Sequence, residues 1–271
     1  MITKLTLMQQ LLGKNYKWWY LVVHGIKLST TYRLSTLIWM FGSLITLLIT
    51  IFIWWINIQS GSTLVDFKTI FTYYIFGNIV SLKNGVQYNL AISIQSGKIS
   101  SRLLRPSNFI TQVIISDLGW HVFPILVEIL LLILLTIIGS QFVILASFWN
   151  FILYILLGIL GYFISIFTSY ILGSIAFFII DTEGLMEINN QLNFILSGKA
   201  VPLSIIPILG FANFLPFAFT FYHPMQIYLG KYDFNQTVLV FAGGISWCIV
   251  LYFLAKLIFK IGLKRNEAVG L

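Results

Sequence analysis

Charge is what this sequence has least of. Only 9% of its 271 residues are Asp, Glu, Lys or Arg, against about 25% in a typical soluble domain. Such a chain cannot cover a water-facing surface in the usual way. Cysteine is nearly absent too: Cys248 stands alone, which excludes an internal disulfide and any zinc site built on several thiolates. The three histidines, His24, His121 and His223, are far apart and form no H-E-x-x-H, and no serine lies in G-x-S-x-G, so neither common hydrolase signature is present. Neither Gly97-Lys98-Ile99 nor Gly198-Lys199-Ala200 has the hydroxyl residue or the preceding glycine of a phosphate-cradling loop. No enzymatic activity, metal or cofactor is expected on this chain. If ATP and Mg are used, a partner chain must hold them.

What the sequence has in abundance is apolar surface, 59% of residues. The surplus of Leu, Ile, Phe and Tyr needs an apolar solvent, and a bilayer supplies one. A spanning helix takes roughly 20 apolar residues. Runs of that kind predict six spans, at about 34–56, 67–82, 109–138, 147–180, 184–200 and 238–260, within a single membrane domain. The first 33 residues hold no continuous apolar core, and the run at 34–56 is too long for the core of a cleavable signal; it is expected to stay in the membrane. Basic residues test the count. Lys4, Lys14, Lys17, Lys27 and Arg33 precede the first span, Lys83, Lys98, Arg102 and Arg105 lie between the second and third, and Lys256, Lys260, Lys264 and Arg265 close the chain. Six spans gather these 13 of the 16 Lys and Arg residues on one side. By the positive-inside rule that side is the cytoplasm, with both termini on it. Orientation thus explains the net charge of +8, and nucleic acid is not required.

Three segments depart from plain apolar spans. Leu11–Thr30 mixes Lys14, Lys17 and Lys27 with Trp18, Trp19, Leu21 and Val22, which predicts a helix lying in the cytoplasmic membrane interface. Asp117, His121 and Glu128 on the third span fall within about 40° of one another on a helical wheel, forming one polar stripe. Two readings stand for it: a polar pathway or proton relay, or a set of helix-to-helix hydrogen bonds. Pro124 between them is expected to kink that helix. The third segment, 197–230, interleaves Gly198, Pro202, Pro207, Gly210, Pro216, Pro224 and Gly230 with five phenylalanines. Backbone so broken survives at membrane depth only where protein or a water-filled cavity satisfies it, and a pair of short re-entrant helices on the outer side fits better than a loop.

The loop over 83–108 mixes apolar and basic residues and meets Pro106 near its end. On composition alone it is either a short cytoplasmic helix facing a partner or a solvated loop. Two motifs then carry a resemblance: Gly97-Lys98-Ile99 with Leu103-Leu104-Arg105-Pro106-Ser107-Asn108, and Leu196-Ser197-Gly198 with Val201-Pro202-Leu203, Ile206-Pro207, Leu215-Pro216-Phe217 and His223-Pro224. Together they make the chain similar to the type-2 ATP-binding-cassette (ABC) permease family, in its branch of six-span permeases of about this length. The resemblance implies an all-α membrane bundle with an interfacial helix, a cytoplasmic coupling helix and outer re-entrant helices. It implies an ATP-driven exporter in the cell membrane, working as a dimer of identical or related permeases with separate cytoplasmic ATPase chains. By the same resemblance Gln95, Lys98, Arg102, Leu103 and Arg105 would serve ATPase coupling, and Ser197, Gly198, Pro202, Pro207, Pro216 and Pro224 the outer cap. Lys98 departs from the family, where an acidic residue often follows the glycine. The competing reading is a self-sufficient secondary transporter using Asp117, His121 and Glu128. Nothing in the sequence selects a substrate.

Overall fold

A computed structural model describes residues 16–61, 65–81, 84–104 and 108–269 of the chain. All regular structure among the described residues is helical. The α-helices are α1 (Tyr16–Thr31), α2 (Arg33–Gln59), α3 (Phe67–Val80), α4 (Val86–Gln95), α5 (Ile99–Leu103), α6 (Phe109–Ile138), α7 (Phe148–Ser174), α8 (Glu183–Leu196), α9 (Tyr222–Tyr228) and α10 (Phe234–Val269). Short 3-10 helices at Ser140–Phe142, Ile175–Phe177, Pro207–Phe214 and Pro216–Thr220 join them.

Four helices are long and apolar enough to cross a membrane: α2, α6, α7 with its 3-10 extension, and α10. Their outward faces carry side chains that water would not tolerate in such number, such as Phe41, Ile45 and Phe52 on α2 and Leu126, Leu130 and Ile133 on α6. The protein is therefore a multi-pass membrane protein. The remaining two expected spans contain helices of only 14 residues each, α3 and α8. At 1.5 Å per residue each is about 21 Å long, short of the roughly 30 Å hydrocarbon layer. α6 runs unbroken through Pro124.

α7 is the central post, with 39% of its apolar window buried against 6–18% for the other three. Small residues let its neighbours come close. A Cβ on Gly161 would overlap the carbonyl of Phe219, so the broken segment can lie directly on α7 only because that side chain is missing. The core has two halves. One joins Leu157, Ile164, Ile166 and Tyr170 of α7 to α4, α6 and α10. The other gathers Tyr73, Tyr74, Tyr154, Phe221 and Tyr228 around α3 and α9. Buried tyrosines need hydrogen-bond partners, and two of the second half find them: Trp54 Nε1 donates to Tyr74 Oη at 2.9 Å, and Tyr154 Oη to the carbonyl of Phe76 at 2.6 Å.

Of the expected interfacial helix, residues 11–15 lie outside the described residues. α1 packs along α6 through a glycine pair. A Cβ built on Gly25 would sit 2.6 Å from the carbonyl carbon of Gly119, and one on Gly119 would sit 2.6 Å from the carbonyl oxygen of Val22. The outward face of α1 carries Trp19, Tyr20, Lys27 and Leu28, a mixture of rings and cation that suits headgroup depth.

Candidate functional site

α3 ends with the second expected span, the chain breaks before α4, and a buried carboxylate sits at the break. Asp117 of α6 is only 4% exposed. Its Oδ1 accepts a hydrogen bond from the Gly85 N–H at 2.9 Å and its Oδ2 one from Tyr162 Oη at 3.3 Å. Gly85 is the N-cap of α4, where backbone donors lack intrahelical partners and the helix dipole favours negative charge. His121, one turn along, places Nδ1 3.4 Å from the second carboxylate oxygen and 2.9 Å from the Asp117 carbonyl. The arrangement ties three helices together at a point where one would otherwise fray.

Beside this joint lies a cleft of about 260 Å³ between the α3–α4 break, α7 and α8. Its polar lining is mostly amide and hydroxyl, with Asn84 and Gln87 on one wall, Ser165 and Ser169 on α7, and Asn189, Asn190 and Asn193 on α8, while Val80 and Phe194 add apolar surface. Among the described residues Lys199 is the one cation in the lining, and none of the lining residues is a carboxylate. Asn84 Nδ2 donates to Ser165 Oγ at 2.8 Å, and Gln87 Nε2 to Asn190 Oδ1 at 3.1 Å. The Lys199 ammonium stands 5.8 Å from the centre of the Phe221 ring, within cation–π range.

Hydrogen bonds also set the course of the segment that follows α7. Gln95 Nε2 donates to the carbonyl of Ile180 at 2.7 Å, Gln87 meets Asn190, and Tyr73 and Tyr74 donate to the carbonyls of Gly198 (2.8 Å) and Ala200 (3.1 Å). Residues 180–200 therefore run antiparallel to residues 95–73. Gly198 has φ +84° and buries its Cα under the Tyr73 hydroxyl. Tyr73→Phe removes that bond and leaves the Gly198 carbonyl buried; it should cost about 1 kcal/mol, read as a lowered unfolding temperature of the nanodisc-embedded protein.

At the far end of α4 the chain makes an elbow. Gly97, at φ +69°, ends the helix, a conformation glycine adopts without strain. Ile99 of α5 is fully buried and pins the elbow, while Lys98 and Ser100 are exposed, and Leu103 and Leu104 are 38% and 87% exposed. Gln95 is exposed and Arg102 half-buried; Arg105 falls outside the described residues. In the broken segment, Ser197 is buried, Pro207 and Pro216 each open a 3-10 helix, and Pro224 lies within the wholly buried α9. Pro202, also buried, precedes them. His223 fastens the segment, with Nδ1 2.8 Å from Tyr232 Oη and Nε2 2.9 Å from the Asn213 carbonyl.

A family model described as "ABC-2 family transporter protein" matches residues 37–270, from α2 through the last helix. The chain belongs to the ABC-2 transporter family. No curated protein and no solved structure matches it. In this ABC-2 permease the expected polar stripe divides between two places. Asp117 and His121 serve the joint, whereas Glu128, about 16 Å further along the helix axis, lines a separate small pocket with Asn78, Ser43 and Met40. Among the described residues no group of three His, Cys, Asp or Glu side chains could hold a metal ion. The amide cleft was not anticipated from the sequence. Its signal is the run Asn189-Asn190-Gln191-Leu192-Asn193, out of keeping with the apolar span expected there.

Proposed function

We propose that this ABC-2 permease is the membrane half of an ATP-driven exporter in the cell membrane, paired as a dimer and driven by ATPase chains seated on the α4–α5 elbow. The observation that carries this reading is the elbow itself. A buried Ile99 holds a five-residue helix in place while Lys98, Leu103 and the 87%-exposed Leu104 face outward. An anchored projection with a mixed apolar and basic tip is what rigid docking needs. Six crossings suit this arrangement, with α3–α4 as the second and residues 180–200 as the fifth. The antiparallel pairing of residues 95–73 with 180–200 supports it, because the two segments run alongside each other in opposite directions, as neighbouring crossings do. Both termini, the elbow and α1 then face the cytoplasm, and the broken segment at 197–230 caps the outer side. ATP binding moves such a permease only if the ATPase binds its inward-open and outward-open states unequally, and the elbow is the contact through which that difference acts.

Affinity capture of the tagged permease from its host in mild detergent tests this. The intact chain should bring down an ATPase bearing a phosphate-binding loop. Leu104→Asp, a change on an exposed side chain, should reduce that recovery at least tenfold with the permease yield unchanged. Recovery of the permease alone, under conditions that hold a known transporter complex together, would sink the exporter reading. Undiminished recovery with Leu104→Asp would remove the elbow from the contact.

A further inference from the structure

We infer that the lysine ladder at the end of α10, Lys256, Lys260 and Lys264, binds the headgroup of an anionic phospholipid whose acyl chains lie along Ile249 and Phe253 on the same face of the helix. The inference goes beyond the exporter reading and needs no ATPase. It holds whichever side of the membrane this end of the chain faces.

Register comes first. α10 is one unbroken helix from Phe234 to Val269, so at 3.6 residues per turn its faces can be followed from end to end. Val238, Ala242, Ile249 and Phe253 fall within about 80° of one another, and all four are exposed. The three lysines fall within that same arc and are exposed too. Apolar side chains and cations thus form one stripe, and the change comes between Phe253 and Lys256. The positive-inside rule asks only that cations gather on one side of the membrane. It does not ask them to continue the line of a lipid-facing stripe.

Depth comes second. Lys256 stands 22 residues beyond Phe234, about 33 Å along the axis, and the hydrocarbon layer is roughly 30 Å thick. Its ammonium is therefore level with the start of the headgroups. Lys260 and Lys264 follow in steps of about 6 Å, and their flexible stems let the ammonium groups reach back toward the same layer.

Charge and rigidity complete the case. α10 carries no Asp or Glu between Phe234 and Arg265, and among the described residues no ion pair engages any of the three lysines. Arg265 turns away, with its guanidinium 5.7 Å from the centre of the Phe178 ring. The back of the same turns is fixed in protein. Ala255 and Phe259 are buried, Phe259 stacks on Phe109 with ring centres 4.9 Å apart, and a Cβ on Gly262 would overlap the Phe177 ring. The row of cations is thereby held in place. A lysine binds phosphate as a point charge, and a phospholipid joins that phosphate to the chains that Ile249, Phe253 and the exposed Leu257 require. A soluble partner would meet only the lysines.

The test uses the whole permease in phosphatidylcholine nanodiscs. These are doped, at equal mole fraction, with phosphatidylglycerol or phosphatidylcholine bearing a diazirine near the head of one acyl chain. The phosphatidylglycerol probe should label residues 249–264 at least tenfold more than the phosphatidylcholine probe, and salt should reduce the excess. Replacing all three lysines, Lys256→Gln, Lys260→Gln and Lys264→Gln, should remove it, since each cation near the surface strengthens attraction to anionic lipid about fivefold. The three arginine replacements should retain it. Lys260→Gln alone should lower the excess about fivefold, which keeps the test decisive should the triple variant not fold. Lys231→Gln, at an exposed lysine just before α10, should leave it unchanged. Equal labelling by the two probes, or undiminished labelling in the glutamine variants, would overturn the proposal. So would loss of ATPase recovery in the triple variant with its lipid labelling intact, because the ladder would then serve a protein. Failure to recover an ATPase with the parent chain would count only against the exporter reading.

Discussion

Asp117→Leu is expected to leave little folded permease, whereas Asp117→Asn keeps most of it. The leucine removes both acceptors at the α4 joint. The Gly85 N–H and the Tyr162 hydroxyl are then buried without partners, at about 1–3 kcal/mol each. A loss of about 2–6 kcal/mol is a large part of the 5–15 kcal/mol that holds a typical domain folded. Asparagine retains the shape. Its carbonyl oxygen accepts from Gly85, and its Nδ2 donates to a Tyr162 hydroxyl that now serves as acceptor, at a cost near 1 kcal/mol. Size-exclusion profiles in mild detergent and unfolding temperatures in nanodiscs distinguish the two variants. The contrast also decides between the two readings of the polar stripe. A proton relay needs a group that ionises, so a relay would lose transport in the Asn variant while its fold stayed intact. Equal damage to the fold by both substitutions would refute the tie described here.

The four long helices were legible because hydropathy over 20 residues depends on no partner. Boundaries followed from local chemistry as well: Asn108 Oδ1 accepts from the Ile110 N–H at 3.0 Å, and Ser147 Oγ from the Asn150 N–H at 3.3 Å, capping α6 and α7. The end of α3 was legible as the end of the second apolar run, but the renewed helix from Val86 was not, since what holds its N-terminus is Asp117, 32 residues beyond Gly85. A helical wheel placed Asp117, His121 and Glu128 on one stripe but could not divide them between a joint and a separate pocket, because the wheel carries no neighbours. α8 shows the limit of counting apolar residues. Its outward Ile188, Leu192 and Ile195 read as span, and the asparagines between them gain their meaning only from Gln87, Tyr88 and Ser165, which lie far away in sequence.

Gly119→Leu is expected to detach α1 from α6. Most overpacking costs about 1–3 kcal/mol because side chains can rotate aside. Here the atoms met at 2.6 Å belong to the backbone of Val22, and a backbone carbonyl has no rotamer to escape into. A peripheral helix is also held by less than the global stability, so about 3 kcal/mol suffices to raise the detached population roughly a hundredfold. Hydrogen exchange in nanodiscs should show the amides of α1 exchanging about a hundredfold faster while those of α7 stay protected. Gly42→Leu is the control, since a Cβ there meets nothing within 4 Å and its exchange pattern should match the parent. Unchanged α1 exchange in Gly119→Leu would mean that the membrane, not α6, holds that helix. The consequence reaches beyond α1. Gly119 and Asp117 stand two residues apart and point to opposite sides of one helical turn, so α1 grips one side of α6 while the α4 joint grips the other. A displacement of α1 therefore bears on the α4 joint, and the Gly85 amide held by Asp117 should exchange faster in Gly119→Leu even though no residue of the joint has changed.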